Sequence, residues 1–300
     1  MGTPPNLIGL ALIEQGTGLR MNFVQWMLFG VPLALVLFAV LFGIILVLFR
    51  PEIRTVPGQL EHMQRARQAL GPLSVGERNT LLAFGVAVLL WVGPGLVGLA
   101  VGSQHPAVRF FAERFPEGAV ALLAACLLFL LPTNWRKREF TLRWDDAIRV
   151  DWGTILLFGG GIALGRMMLD TGLAHAMGRG FLTFFGIHQP ATLTGAAVGL
   201  ATLISETTSN TASANMVVPI MLSMARALGA SGVAVGVAAT LGASMGFMLP
   251  ISTPPNAIVY GSKAIRLTDM VRAGLLLDLL GFVIIWMWVL WIVPLAAAIR

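Results

Sequence analysis

Apolar positions in this chain gather into long uncharged stretches, and nearly all arginines and lysines fall in the short segments between them. Uncharged runs cover 23–49, 79–108, 118–135, 152–165, 180–205, 207–225, 227–262 and 279–299. A bilayer core takes roughly 20 apolar residues per helix. Phe23–Phe49, Asn79–Gly102, Gly118–Pro132 and Ala273–Ile299 are predicted as plain spanning helices, the last carrying Asp278 near its start, within reach of the interface. Trp152–Gly165 is shorter, contains Gly159–Gly161, and is followed by Arg166 and Asp170. It reads as one span whose far end bends into an interfacial helix around 172–187.

Two further stretches differ. Ala191–Ser205 and Ala212–Ala225 are each short for a crossing and flank the polar run Ser205-Glu206-Thr207-Thr208-Ser209-Asn210-Thr211. This predicts a re-entrant hairpin over 191–225, whose tip survives at membrane depth only when buried in protein or lining a cavity. The long run ending at 262 is interrupted by Ser252-Thr253-Pro254-Pro255-Asn256. Proline cannot continue a helix, and the residue before it avoids the helical region. A broken helix over 232–262 is expected, with its break at the prolines, near mid-membrane.

Loop charge sets the orientation. Arg50–Arg78 and Arg136–Arg149 each hold five basic residues, and Lys263–Arg272 holds three; the alternate loops hold fewer. The three rich loops fall on one side when the hairpin counts as no crossing, which places them in the cytoplasm and opens the hairpin to the outside. Residues 57–70 read either as a basic helix on the cytoplasmic surface or as a solvated linker.

Composition narrows the function classes. At 57% hydrophobic, 11% charged and a mean hydropathy of +0.83, the chain is unlike a soluble domain, with its usual quarter of charged residues. A multi-pass protein of the inner or plasma membrane is expected. The single cysteine, Cys126, excludes an internal disulfide, and the four histidines lack zinc-binding spacing. The net charge of +6 reports membrane orientation rather than a nucleic-acid partner. No Ser/His/Asp constellation points to an enzyme, and no cofactor is expected beyond a coupling ion.

The string Thr-Pro-Pro-Asn occurs twice, at Thr3–Asn6 and Thr253–Asn256. Each copy leads into an apolar stub, a polar loop and a long Trp-containing span. Paired broken helices mark secondary transporters built from inverted repeats. The expected fold is therefore an all-α polytopic membrane protein of inverted-repeat transporter type. Its first repeat would be largely missing, since the second copy follows three spans and a hairpin whereas the first follows almost nothing; the chain reads as truncated. Residues 1–49 would end the first repeat, 50–78 form a cytoplasmic linker with a possible interfacial helix, and 79–300 form the second repeat, closed by the span 273–299.

The two polar islands are where chemistry is expected. Unwound carbonyls with Ser, Thr and Asn side chains suit a hard cation, and freed N–H groups at helix N-termini suit an anion. Ser205–Ala212 with Pro219 resembles the Ser-Asn-Thr signature of the divalent anion/sodium symporter (DASS) family, and Thr253–Gly261 resembles its downstream motif; Phe23–Met27 and Gly30–Pro32 fit its mid-chain pattern. The resemblance implies carriage of C4-dicarboxylates, citrate or sulfate, usually with sodium, by a homodimer with an elevator-like motion. It implies that Asn210 and Thr211, with Thr253 and Pro254, touch the substrate. Ser205, Ser209, Asn210, Ser252 and Pro254 would hold one sodium ion, and Gly2 and Thr3 match the loop of another. An anion exchanger on the same scaffold and an inactive membrane module are the rival readings.

Other features take structural readings. The Gly161/Gly165, Gly232/Gly236 and Gly242/Gly246 pairs suit close helix packing. Arg166 and Asp170 are spaced to pair on one helix face. Glu206, whose charge would repel an anion, is expected to act structurally as a hydrogen-bonding group. Cys126 reads as inert.

Overall fold

The computed structural model describes residues 2–50, 58–102 and 105–298. In chain order the helices are α1 (Pro4–Thr17), α2 (Phe23–Leu48), α3 (Gln59–Leu70), α4 (Val75–Val101), α5 (Pro106–Arg114) and α6 (Glu117–Leu130). A two-stranded antiparallel ladder follows, β1 (Pro132–Asn134) and β2 (Glu139–Phe140). After it come α7 (Trp144–Ala147), α8 (Trp152–Asp170), α9 (Leu173–Phe185), α10 (Pro190–Thr207), α11 (Asn210–Ala227), α12 (Gly232–Gly242), α13 (Pro254–Gly261) and α14 (Leu267–Ala298).

Among the described residues, four helices are long and apolar enough to cross a membrane: Phe23–Leu48, Val75–Gly98, Trp152–Asp170 and Leu267–Ile292. Phe23–Leu48 matches its predicted span closely, and α4 and α14 begin earlier than the apolar pattern suggested. Ser74 caps α4, its hydroxyl accepting from Glu77 N while the Glu77 side chain accepts from Ser74 N. That reciprocal cap lets a polar first turn join the helix. The expected span Gly118–Pro132 is corrected: α6 has 14 residues, about 21 Å at the usual rise, short of the roughly 30 Å core. Its C-terminal side gives way to the ladder, which apolar periodicity did not reveal. Asn79 of α4 ties that ladder in, donating to Pro132 O (3.1 Å) and Thr141 Oγ1 (2.8 Å). The segment 57–70 does contain a helix, α3, and its described side chains are exposed. The span at Trp152 is also longer than expected. It runs straight through Gly159–Gly161 to Asp170, then turns at Gly172, whose φ of 75° suits glycine, into α9.

The chain forms two compact units. One holds Asn22–Met27 and the stretch up to Asp151; the other holds the N-terminal residues up to Met21, Leu28–Arg50 and everything from Trp152 on. In the second, α1, α10, α11 and α12 pack around a core that includes Ile8, Leu12, Leu193, Val198, Val217, Met221 and Ala239. Small residues let these backbones approach, as expected of helices that associate without a hydrophobic drive. A Cβ on Gly242 would sit 2.5 Å from Val198 O, and one on Gly236 would meet Ile13 Cγ1 at 2.6 Å. The outer faces of α2 and α14 leave large apolar side chains uncovered, among them Leu35, Phe38, Phe42, Leu279 and Trp291, as a lipid-facing surface requires.

Candidate functional site

The stretch expected to form a re-entrant hairpin folds into α10 and α11, packed on each other and longer than the apolar pattern implied. Each runs 18 residues, and most of the polar run is helical. Only Thr208 and Ser209 lie between the two helices. The reason is local satisfaction. The hydroxyls of Thr207 and Thr208 donate back to Ile204 O at 3.1 and 2.7 Å, so polar side chains close their bonds on their own helix. The Ser209 hydroxyl caps α11 by accepting from Ala212 N.

The break in the second polar island is also placed differently. Pro254 and Pro255 do not interrupt a helix; they begin one. Thr253 is the N-cap of α13, its hydroxyl accepting from Asn256 N at 3.3 Å. A proline at the first helical position loses no hydrogen bond, because its missing N–H would be unpaired there anyway. The non-helical stretch is 243–253, a strap of eleven residues between α12 and α13. Thr3 precedes Pro4 in the same way at the start of α1, so the repeated tetrapeptide is twice a helix start.

A strap without helical pairing must place its backbone groups elsewhere, and α10 takes three consecutive amides and the Ala243 carbonyl. Glu206, 2% exposed, accepts from Phe247 N (2.5 Å) and Met248 N (2.8 Å) through one carboxylate oxygen. The other oxygen accepts from Leu249 N (3.1 Å) and the Ser252 hydroxyl (3.0 Å). Thr202 donates to Gly242 O at 3.2 Å. Asn256 completes the frame from α13, its Nδ2 donating to Gly246 O (2.9 Å) and Leu249 O (3.1 Å). The acid beside the tip thus plays the hydrogen-bonding part expected of it, and three consecutive strap amides are fixed by one carboxylate.

Around this frame lie the residues singled out from sequence. The buried Ser205 hydroxyl stands 2.6 Å from Asn210 Oδ1 and 2.7 Å from Ala243 O, so one proton faces two acceptors and three oxygens converge. Gly246 borders the same place: a Cβ there would be 2.6 Å from Asn210 Oδ1, 3.2 Å from Ser205 Oγ and 3.2 Å from Ser252 Cβ. Ser209 and Thr211 are half-buried at the start of α11, Thr253 is half-buried and Pro254 exposed at the start of α13. Gly2 is exposed, with nothing near its Cα direction. Thr3 accepts from Asn6 Nδ2 at 2.8 Å. Buried Asn6 in turn accepts from the Ser244 hydroxyl at 3.2 Å, so the first tetrapeptide reaches the strap through its asparagine.

Asn6, Ser244 and Asn256 were not singled out, and Gly246, read from sequence as a helix-packing residue, lies instead in the non-helical strap against Asn210 and Ser205. The repeat itself carried the signal for the two asparagines, which occupy the same place in each Thr-Pro-Pro-Asn. Asp278 is a correction. Helix α14 starts at Leu267, so Asp278 lies three turns inside it rather than at the interface. It is 6% exposed and faces Glu206, and neither of its carboxylate oxygens has a hydrogen-bond partner. Arg166 and Asp170 form the expected pair at 3.5 Å with both side chains exposed, an arrangement of small energetic weight. Cys126 is exposed.

Comparison with known proteins agrees with these motifs. The family described as "Sodium:sulfate symporter transmembrane region" matches residues 1–297. The chain is 31% identical over 296 residues to a protein of Staphylococcus saprophyticus named sodium-dependent dicarboxylate transporter SdcS, covering 98% of this chain and 55% of that protein. It is 29% identical over 301 residues to the protein of the same name from Staphylococcus aureus strain USA300, covering 100% of this chain and 56% of the relative. The chain therefore spans about half the length of the curated relatives it matches.

Proposed function

The chain belongs to the sodium:sulfate symporter family, a family of membrane transporters rather than enzymes, and from that premise we propose that it forms the sodium- and anion-binding part of a sodium-coupled dicarboxylate carrier. The observation that carries this reading is the convergence of Ser205 Oγ, Asn210 Oδ1 and Ala243 O between the hairpin tip and the strap. Sodium is a hard cation that wants several oxygen ligands, and three neutral oxygens with one proton among them favour such an ion. Ser209, Ser252 and the backbone at Pro254 supply the remaining oxygens, and Gly2 and Thr3 belong to a second ion position.

The substrate lies against Asn210 and Thr211 at the start of α11 and Thr253 and Pro254 at the start of α13. The N-terminus of α11 directs the Asn210 and Thr211 N–H groups toward a carboxylate there, and α13, which opens on two prolines without N–H groups, adds the Thr253 hydroxyl. Sodium binds first and offsets the anion's charge in an otherwise apolar interior. In this reading α10 and α11 form a re-entrant hairpin. Both are long enough to cross, yet too polar to stand among the four apolar spans; the strap backs their tip at Ser205 and Glu206, while Thr207 and Thr208 are exposed. Alternating access then moves hairpin and strap together within a homodimer. The twofold relation of the tetrapeptides supports an inverted repeat as the parent plan.

The relatives' names favour a dicarboxylate over citrate or sulfate. The test is uptake of labelled succinate, citrate and sulfate into proteoliposomes under an inward sodium gradient. Asn210→Ala should abolish uptake at normal membrane expression, and Thr211→Val should raise the apparent KM for succinate. Unchanged kinetics in both variants would remove the tip from the site.

A further inference from the structure

Asp278 presents a buried carboxylate that the reading above does not use. It sits on the α14 face marked by Gly274 and Gly281, four residues before and three after it. A Cβ on Gly274 would be 2.6 Å from Met248 N, and Gly281 abuts the Met245 side chain. The carboxylate therefore points at the strap and at Glu206 behind it. Both of its oxygens are buried and without a partner.

Glu206 faces Asp278 as a second carboxylate and supplies neither a proton nor a positive charge. Its two oxygens already accept four donors, about the full capacity of a carboxylate. A cationic side chain does not supply that charge either. The described parts of α2, α12 and the strap contain no charged residue, and α10 contains only Glu206. On α14 itself the nearest charges are Asp269 and an exposed Arg272, about 9 Å and more away along the axis at 1.5 Å per residue. Two carboxylates in contact inside an apolar core, one of them unbonded, are costly unless a positive charge joins them.

We propose that Asp278, backed by Glu206, binds one monovalent cation, a proton or a sodium ion, at a position additional to the Ser205–Asn210–Ala243 oxygen cluster. The site rests on the burial and contacts of Asp278 and not on the transport reading. An ion there neutralises the charge that α14 and α10 bring together and ties α14 to the strap.

The experiment measures apparent Tm of the purified chain in lipid nanodiscs, with sodium titrated against choline and pH varied. Wild type, Asn210→Ala, Asp278→Asn and the double variant are compared. If the ion is sodium, Asn210→Ala retains a sodium-dependent rise in Tm, about 5 °C at a sodium concentration a hundredfold above its dissociation constant, and the double variant loses it. If the ion is a proton, Asn210→Ala shows no sodium response. The Tm of wild type then varies with pH in a way that Asp278→Asn removes. Asp278→Ser repeats both arms should the asparagine variant fail to fold. An Asp278→Asn protein that differs from wild type by the same amount at every sodium concentration and pH, or not at all, overturns the proposal. Because the readout is binding, failure of succinate uptake leaves this result standing on its own.

Discussion

Replacing Glu206 by glutamine tests the frame of the site most directly. The substitution keeps size and shape and changes one acceptor oxygen into a donor. With Oε1 retained toward Phe247 and Met248, the new NH2 group faces Leu249 N and the Ser252 hydroxyl, which now bonded to Oε2. The serine can rotate toward Glu206 O, already 3.0 Å away, so the main loss is one buried amide facing another donor. Two remaining bonds also lose their charge assistance. An unsatisfied buried group costs about 1–3 kcal/mol, and a bond to a charged acceptor is worth roughly 1 kcal/mol more than a neutral one. The sum is about 3–5 kcal/mol, a large share of a typical stability of about 5–15 kcal/mol. At about 2–4 °C per kcal/mol for a domain of this size, apparent Tm should fall by about 6–20 °C. Scanning fluorimetry on the purified protein at fixed scan rate reads this, with hydrogen exchange at residues 247–249 as the local check. A glutamine variant within about 2 °C of wild type, with unchanged exchange there, would refute the reasoning that one carboxylate holds the strap.

Gly246→Ala should leave the fold intact yet reduce the sodium-dependent rise in Tm, as Asn210→Ala does, since the new methyl meets Asn210 Oδ1 and Ser205 Oγ; an undiminished sodium response would place the cation elsewhere. Gly242→Ala presses instead on the Val198 backbone at 2.5 Å, where no side chain can yield, and should cost about 1–3 kcal/mol in thermal unfolding without altering sodium affinity in the surviving protein. Single cysteines replacing Pro190 and Gly229, in a Cys126→Ser background, should react with an impermeant thiol reagent from the same side of the membrane, because both lie at the open end of the α10–α11 hairpin. Labelling from opposite sides would mean that the pair crosses the membrane once in total and would rule the hairpin out.

The two polar islands were legible because polar residues interrupting apolar sequence are conspicuous, and the repeated tetrapeptide marked two helix starts. Their extents were not. A run such as Ser205–Thr211 looks like a loop by polarity, yet threonine hydroxyls bonding back to Ile204 O keep it helical. The strap residues Ala243–Pro250 are mostly apolar and look helical by composition; they unwind because Glu206 and Asn256, distant in sequence, take their backbone groups. Pairings of this kind leave no local trace. Asp278 was misplaced for a similar reason: apolar counting started α14 at the first long uncharged run, whereas Leu267–Arg272 form its opening turns. The ladder at Pro132–Phe140 is too short for alternation to register.

The way Glu206 grips the strap has a consequence for how the sequence can change. Three successive amides converge on one side chain, and Asn256 clasps Gly246 and Leu249 from the opposite end. The intervening chain therefore has no slack. At Phe247, Met248 and Leu249 the amides are what Glu206 holds, so an apolar substitution there leaves these bonds in place. An insertion or deletion of one residue between Gly242 and Asn256 is a different matter, since it would offer the carboxylate the wrong set of amides and displace Gly246 from Asn210. Along this stretch the grip sets the number of residues.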